Sequence, residues 1–108
     1  MIHKINSWAS CITWIDYDND GDQDVFIAGN RGGGLYDPIT KLYRNDGPGE
    51  GYTWNFTDVT ENQFPDVCFG SASWADYDKD GDMDLLLCGA ENGSDYMMDI
   101  FVNNNGVF

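Results

Sequence analysis

An internal repeat limits the folds that are available to this chain. The segment WIDYDNDGDQDVFIAGN (14–30) aligns with WADYDKDGDMDLLLCGA (74–90) at an offset of 60 residues, and nine of the seventeen aligned positions are identical. A weaker similarity relates KLYRNDG (41–47) to IFVNNNG (100–106) at an offset of 59 residues. Chains of this kind fold as repeated units that complete their hydrophobic cores against one another.

Each repeat is predicted to contain four short antiparallel strands, which we call A to D. The first repeat covers residues 1–60 and the second covers residues 61–108, and together they would form one domain. Short runs of apolar, β-branched and aromatic residues are bounded by Gly, Asn, Asp and Pro, which is typical of strands joined by turns. The predicted strands are 10–15, 25–29, 41–45 and 55–60 in the first repeat and 71–75, 85–89 and 99–103 in the second. In the second repeat strand D is missing or begins only at Phe108, so the sequence predicts an all-β fold with one incomplete unit.

The connection between strands A and B is an aspartate-rich loop in both repeats. DYDNDGDQD (16–24) and DYDKDGDMD (76–84) each place five aspartates within nine residues. Two such charges about 6 Å apart repel by roughly 3 kcal/mol at an effective dielectric constant of about 20. In the pattern D-x-D-x-D-G-x-x-D, alternate carboxylates converge if the backbone curls around a cation, and oxygen ligands without His or Cys favour Ca²⁺. An EF-hand is excluded because the twelfth positions of the two loops are Ile27 and Leu87 instead of glutamate.

The net charge and the hydrophobicity of the chain limit the classes of partner that it can bind. With 5 basic and 19 acidic residues, the chain has a formal charge of −14, which excludes nucleic-acid binding and disfavours an anionic membrane surface. No apolar run is long enough for membrane insertion, and residues 1–10 contain no signal-peptide segment. The chain has three cysteines, Cys11, Cys68 and Cys88. Two of them could form a disulfide, or all three could be small buried side chains.

A tryptophan, then DYDxDGDxD, an apolar strand, LYRNDG and NFTDVT together resemble the integrin α-type FG-GAP repeat, most closely its VCBS-like branch. The resemblance implies that each repeat is a four-stranded blade of a β-propeller, with Ca²⁺ in the loop between strands A and B. It implies two calcium sites, with side-chain ligands and one backbone carbonyl ligand in each. In the first site these are the side chains of Asp16, Asp18, Asp20 and Asp24 and the carbonyl of Asp22, and in the second they are the side chains of Asp76, Asp78, Asp80 and Asp84 and the carbonyl of Asp82.

The resemblance also implies a function. We expect a non-enzymatic, calcium-stabilised module of an extracellular or cell-surface protein, with a role in adhesion or in binding a protein or glycan ligand. His3 is the only histidine, which disfavours a catalytic triad. Two alternatives stay open. The chain could be a self-assembling, lectin-like propeller unit that binds carbohydrate, or it could be the non-catalytic part of a larger secreted enzyme.

The expected partners are neighbouring blades, supplied by the same longer chain or by other copies of this one. Because two blades leave sheet edges and faces uncovered, additional blades are needed to complete a propeller. Trp14 and Trp74 recur at the same repeat position, so we predict that both pack between blades, with sugar stacking as the alternative.

Overall fold

The computed structural model describes residues 10–32, 37–92 and 95–108, so the argument from His3 lies outside the described residues. The described residues form seven strands and one short 3-10 turn at Glu50–Tyr52. The strands are β1 (Cys11–Ile15), β2 (Asp24–Asn30), β3 (Pro38–Pro48), β4 (Trp54–Asp58), β5 (Cys68–Ala75), β6 (Asp84–Ala90) and β7 (Tyr96–Phe101). The described residues contain no α-helix, and the predicted all-β class is confirmed.

The strands form two antiparallel sheets, one for each repeat. The first sheet has the order β1-β2-β3-β4 and the second has the order β5-β6-β7, so every strand pairs with its neighbour in the chain. Strands A to D of the first repeat correspond to β1 to β4, and strands A to C of the second correspond to β5 to β7. The second sheet has no fourth strand in the described part of the chain, as the sequence predicted.

The third strand of the second repeat lies one position away from its predicted alignment. The amide of Asn45 donates to Oδ1 of Asp24 at 2.7 Å, and the amide of Asn103 donates to Oδ1 of Asp84 at 2.8 Å. Asn103 follows Asn45 by 58 residues, so the predicted offset of 59 is wrong. The connection before β7 is two residues shorter than the one before β3, which accounts for the difference. A shift of one residue exchanges the two faces of a strand, so the offset decides which residues of β7 correspond to those of β3.

The two sheets pack face to face around one hydrophobic core. Phe26 and Leu42 from the first sheet meet Leu85 and Leu87 from the second, and all four side chains are fully buried. Phe64, from the segment that joins the sheets, contacts Phe26 edge to face with ring centroids 5.6 Å apart. Fully burying such a side chain contributes about 1.5–3 kcal/mol, so this shared core holds the two repeats together.

The two recurring tryptophans have different environments. Trp74 packs against the first sheet, with its ring centroid 5.7 Å from that of Phe26 and its Nε1 donating to Oγ1 of Thr13 at 3.0 Å. Trp14 is 65% exposed. The predicted packing between repeats is therefore confirmed for Trp74, whereas Trp14 packs on no second sheet within the described residues, and its packing between blades stays a prediction. The reason is that Trp74 faces the other sheet, whereas the equivalent face of the first sheet is turned outward.

The three cysteines are not joined by a disulfide. Cys68 is buried, and Cys11 and Cys88 are half-buried. Burial raises the pKa of the Cys11 and Cys68 thiols. The interpretation as small packed side chains is the one that the structure supports.

Candidate metal centre

The two aspartate loops connect β1 to β2 and β5 to β6, and their backbones have the same shape. Gly21 has a φ of +94° and Gly81 has a φ of +95°, a conformation that side chains with a Cβ rarely adopt. Two residues earlier, Asn19 and Lys79 have φ values of +59° and +60°. These left-handed positions turn the backbone of each loop sharply, so that several of its aspartates are directed toward one centre.

In the first loop, backbone amides hold the carboxylates in place. Asp16 accepts hydrogen bonds from the amide of Asp20 at 3.1 Å and from that of Gly21 at 3.0 Å. Oδ2 of Asp24 accepts from the amide of Tyr17 at 3.2 Å, which ties the end of the loop to its beginning. The loop is therefore closed by its own aspartates, and their positions are fixed by the backbone.

The second loop repeats this arrangement. Asp76 accepts from the amides of Asp80 at 3.1 Å and Gly81 at 2.9 Å. Oδ2 of Asp84 accepts from the amide of Tyr77 at 3.2 Å. The same bonds thus occur at the same positions in both repeats, although the surrounding side chains differ.

Seven of the ten predicted site residues belong to two compact groups. In each group, one carboxylate oxygen from every member lies within 4.8 Å of those of the other members. The second group contains Asp76, Asp78, Asp80 and Asp84, and the first contains Asp16, Asp18 and Asp24. Asp20 is outside the first group, and its Oδ1 accepts from the amide of Asp22 at 2.8 Å. Asp22 and Asp82 are in neither group, and for both the predicted ligand is the backbone carbonyl.

Asp82 uses its carboxylate to join the two repeats. Its oxygens accept from Nδ2 of Asn19 and from the amide of Asn105, both at 2.8 Å. Asn19 belongs to the loop of the first repeat, so this contact links the two loops directly. Sequence reasoning considered only the carbonyl of Asp82 and missed this contact, because the pairing depends on how the sheets pack.

The electrostatics of the first loop are those of a site with excess negative charge. Desolvation by burial raises the pKa of Asp24 to about 6, and the charges of Asp18 and Asp20 add to the increase. Desolvation and the neighbouring Asp20 also raise the pKa of Asp18. Burying a carboxylate among others disfavours its charged form, and a bound cation would reverse that effect.

The donor set fits a calcium ion. Both groups consist only of carboxylates, and three or four such groups provide enough oxygen atoms for the six to eight ligands of Ca²⁺ when carbonyls and water complete the shell. Oxygen ligands of this kind do not favour zinc or copper. Because the carboxylates are held by backbone amides, the site would bind a cation without reorganising the strands that flank it.

An asparagine at the end of the third strand supports each site, and it was not recognised from the sequence. The amides of Asn45 and Asn103 bind the buried Asp24 and Asp84, as described above. In addition, Nδ2 of Asn45 donates to the carbonyl of Gln23 at 3.0 Å. The signal was present as the shared asparagine of LYRN and IFVN, but the predicted offset of 59 placed the two residues out of register.

Comparison with known families agrees with this architecture. The family described as FG-GAP-like repeat matches residues 16–87, which are 72 of the 108 residues. The chain therefore belongs to the FG-GAP-like repeat family, and the resemblance inferred from its motifs is confirmed. No curated protein and no solved structure matches the chain. Within the described residues, no helix has the length and apolar character needed to cross a bilayer.

Proposed function

We propose that the chain is a pair of calcium-binding β-propeller blades from an extracellular or cell-surface protein, in which the metal has a structural role. Each Ca²⁺ would lie between the first two strands of a blade and neutralise the aspartates of that loop. The observation that carries the proposal is the duplication of one loop geometry, with the same amide-to-carboxylate bonds in both repeats. Two independent sites would then stabilise the two sheets.

The role of the module would be adhesion or ligand binding. FG-GAP-like repeats typically occur in extracellular proteins, where calcium is abundant enough to fill sites of modest affinity. The connections between β2 and β3 and between β6 and β7 differ in length, and variable loops on a repeated frame are the expected place for recognition. The proposal includes no catalytic activity.

Isothermal titration calorimetry of metal-depleted protein tests the two sites. The expected stoichiometry is two Ca²⁺ ions per chain. Asp18→Asn and Asp78→Asn are matched substitutions that remove one carboxylate from each loop. Both residues lie in loops, so neither change disturbs a strand. Each single variant should lose about one site, and the double variant should lose both.

Glu61→Gln provides the control, because Glu61 is exposed and belongs to neither carboxylate group. This variant should bind two Ca²⁺ ions like the unaltered chain. If the double variant Asp18→Asn/Asp78→Asn kept two sites of unchanged affinity, the proposed ligands would be wrong. If Mg²⁺ bound as tightly as Ca²⁺, the proposed metal would be wrong.

A further inference from the structure

A side chain of the first aspartate loop is bonded to a residue of the second. Nδ2 of Asn19 donates to Oδ1 of Asp82 at 2.8 Å and, more weakly, to the carbonyl of Gly81 at 3.4 Å. Asn19 stands between Asp18 and Asp20, which are two of the expected ligands of the first site. Asp82 contributes its backbone carbonyl to the expected ligands of the second site. The contact therefore runs from one metal loop to a ligand residue of the other.

The carboxylate of Asp82 is held at both of its oxygens. Oδ1 accepts from Asn19, and Oδ2 accepts from the amide of Asn105 at 2.8 Å. The amide of Asp82 in turn donates to Oδ1 of Asp80, a member of the second carboxylate group, at 2.9 Å. Asp82 is only 9% exposed, so water has little access to it. A carboxylate fixed in this way holds the backbone of its own residue, including the carbonyl that is expected to bind the ion.

The position of the two loops relative to each other does not depend on Asn19. Asn103 is fully buried, and its Nδ2 donates to the carbonyl of Tyr17 in the first loop at 2.7 Å and to that of Met83 in the second at 3.0 Å. This bridge and the hydrophobic core keep the loops together. Loss of the Asn19 side chain should therefore release Asp82 without separating the repeats.

The corresponding pair of residues makes no such contact. The repeat counterparts of Asn19 and Asp82 are Lys79 and Asp22. Lys79 is exposed and Asp22 is half-buried, whereas Asp82 is buried. Within the part of the chain that the structure describes, no hydrogen bond joins Lys79 to the first loop. The support between the loops therefore runs in one direction, from the first loop to the second.

The chemistry of calcium makes this support important. Ca²⁺ binds oxygen ligands at about 2.3–2.6 Å, so a ligand that turns away is lost from the shell. Without Asn19, a buried carboxylate would lose one of its two partners, which favours rotation of Asp82 toward water. Residues that orient metal ligands from behind typically change metal affinity by about 10–100-fold when they are replaced.

We propose that Asn19 is a positioning residue for the calcium ion of the second repeat, so that the first repeat completes the second site. Asn19 holds the carboxylate of Asp82, and the carboxylate holds the backbone that presents the carbonyl to the ion. The two sites share one sequence motif but differ in construction, because Lys79 gives the first site no equivalent support. This role of Asn19 depends on the calcium-binding function proposed above.

Asn19→Gly tests this role, because Asn19 has a φ of +59°, which glycine adopts without strain. The Asp18→Asn background leaves only the second site for calorimetry, and the Asp78→Asn background leaves only the first. Asn19→Gly should weaken the second site about tenfold and should change the first by less than about twofold. A residue that only maintained the fold, or only shaped its own loop, would change the first site as well.

Lys79→Gly is the matched control, because Lys79 occupies the same loop position with a φ of +60°. In the Asp78→Asn background this substitution should leave the affinity of the first site unchanged. The two glycine variants thus remove equivalent side chains, and only the one that contacts the other loop should affect the other site.

Asp82→Ala removes the acceptor of the same bond and provides a second test. In the Asp18→Asn background, adding Asn19→Gly to Asp82→Ala should cause no further loss of affinity, because the bond is already absent. Asp22→Ala in the Asp78→Asn background is the control for the lost charge. Asp82→Ala should weaken the second site at least about fivefold more than Asp22→Ala weakens the first.

Near-UV circular dichroism verifies folding through the buried Trp74, and if Asn19→Gly does not fold, the comparison of Asp82→Ala with Asp22→Ala decides. An unchanged second site in folded Asn19→Gly would overturn this role, as would equal losses at both sites or additive losses from Asn19→Gly and Asp82→Ala. A chain that bound no calcium at all would be a different result, since it would contradict the calcium-binding function and this role with it.

Discussion

Asp24 and Asp84 each connect the start of an aspartate loop to the end of the third strand of the same sheet. Each is buried, and each accepts one amide from the start of its loop and another from the end of the third strand. At the scale of the residue, these carboxylates have two roles, because they complete the loop and contribute to the cluster of negative charge. For Asp24 the two roles conflict in the absence of a cation, since desolvation by burial disfavours the charged form and raises the pKa of this carboxyl.

The conflict predicts an unusual dependence of stability on pH. The pKa of Asp24 is about 6 in the folded chain and about 3.8 in an ordinary environment. Between these values the folded state binds a proton that the unfolded state does not, so stability increases as the pH falls from 7 to 5. Metal-depleted protein should gain on the order of 1 kcal/mol over this range, once solvent screening is considered. Urea denaturation at several pH values measures the change.

Asp24→Asn should remove most of this pH dependence, because the amide does not titrate. With saturating calcium the trend should reverse, since protons then compete with the metal for the same oxygens. A metal-depleted protein whose stability decreased steadily from pH 7 to pH 5 would contradict the assignment.

Asn103 and Asn45 offer a matched comparison. Asn103 is fully buried, and its Nδ2 donates to the carbonyls of Tyr17 and Met83, whereas Asn45 is half-buried. Asn103→Ala would leave buried carbonyl groups unpaired and should cost about 1–3 kcal/mol of unfolding free energy. Asn45→Ala should cost less, because water can replace its bonds. Equal losses in chemical denaturation would show that the second sheet does not cover Tyr17 as described.

At the scale of the element, the shape of the loop between the first two strands of each sheet depends on backbone positions with a positive φ. Nothing lies within 4 Å of a Cβ placed at Gly21 or Gly81, so space is not the constraint at either position. The constraint is the positive φ, which disfavours every residue that has a Cβ. Stability and metal affinity should therefore respond together to changes at these glycines.

Gly81→Ala should destabilise the chain by about 1–2 kcal/mol and weaken calcium binding at the second site, because the loop must rearrange to relieve the strain. Lys79→Gly provides the opposite test, since Lys79 has a φ of +60° and glycine would relieve strain there. Thermal melts and calcium titrations of both variants measure these effects. If alanine at position 81 had no effect on either quantity, the loop would not depend on this backbone geometry.

At the scale of the whole molecule, local features could be predicted from the sequence and features set by neighbouring units could not. The strands of the two repeats and the positions of the aspartate loops follow from short-range patterns, and the described residues contain them. The exposure of Trp14 and the bond between Asn19 and Asp82 depend on which faces meet in three dimensions. The register of the third strand depends on the length of the connection before it, which is two residues shorter in the second repeat. The ends of that connection could not be located from its composition.

We propose that calcium in the two aspartate loops stabilises the fold. A thermal melt followed by near-UV circular dichroism, in calcium, in magnesium and in excess chelator, measures this stabilisation, because Trp74 packs between the two sheets. Binding at a hundredfold excess over the Kd contributes about 2.7 kcal/mol, which for a domain of this size corresponds to a Tm increase of about 10 °C or more. We expect this increase in calcium alone, and we expect no increase for Asp18→Asn/Asp78→Asn. The same cooperative melt in all three solutions would contradict it.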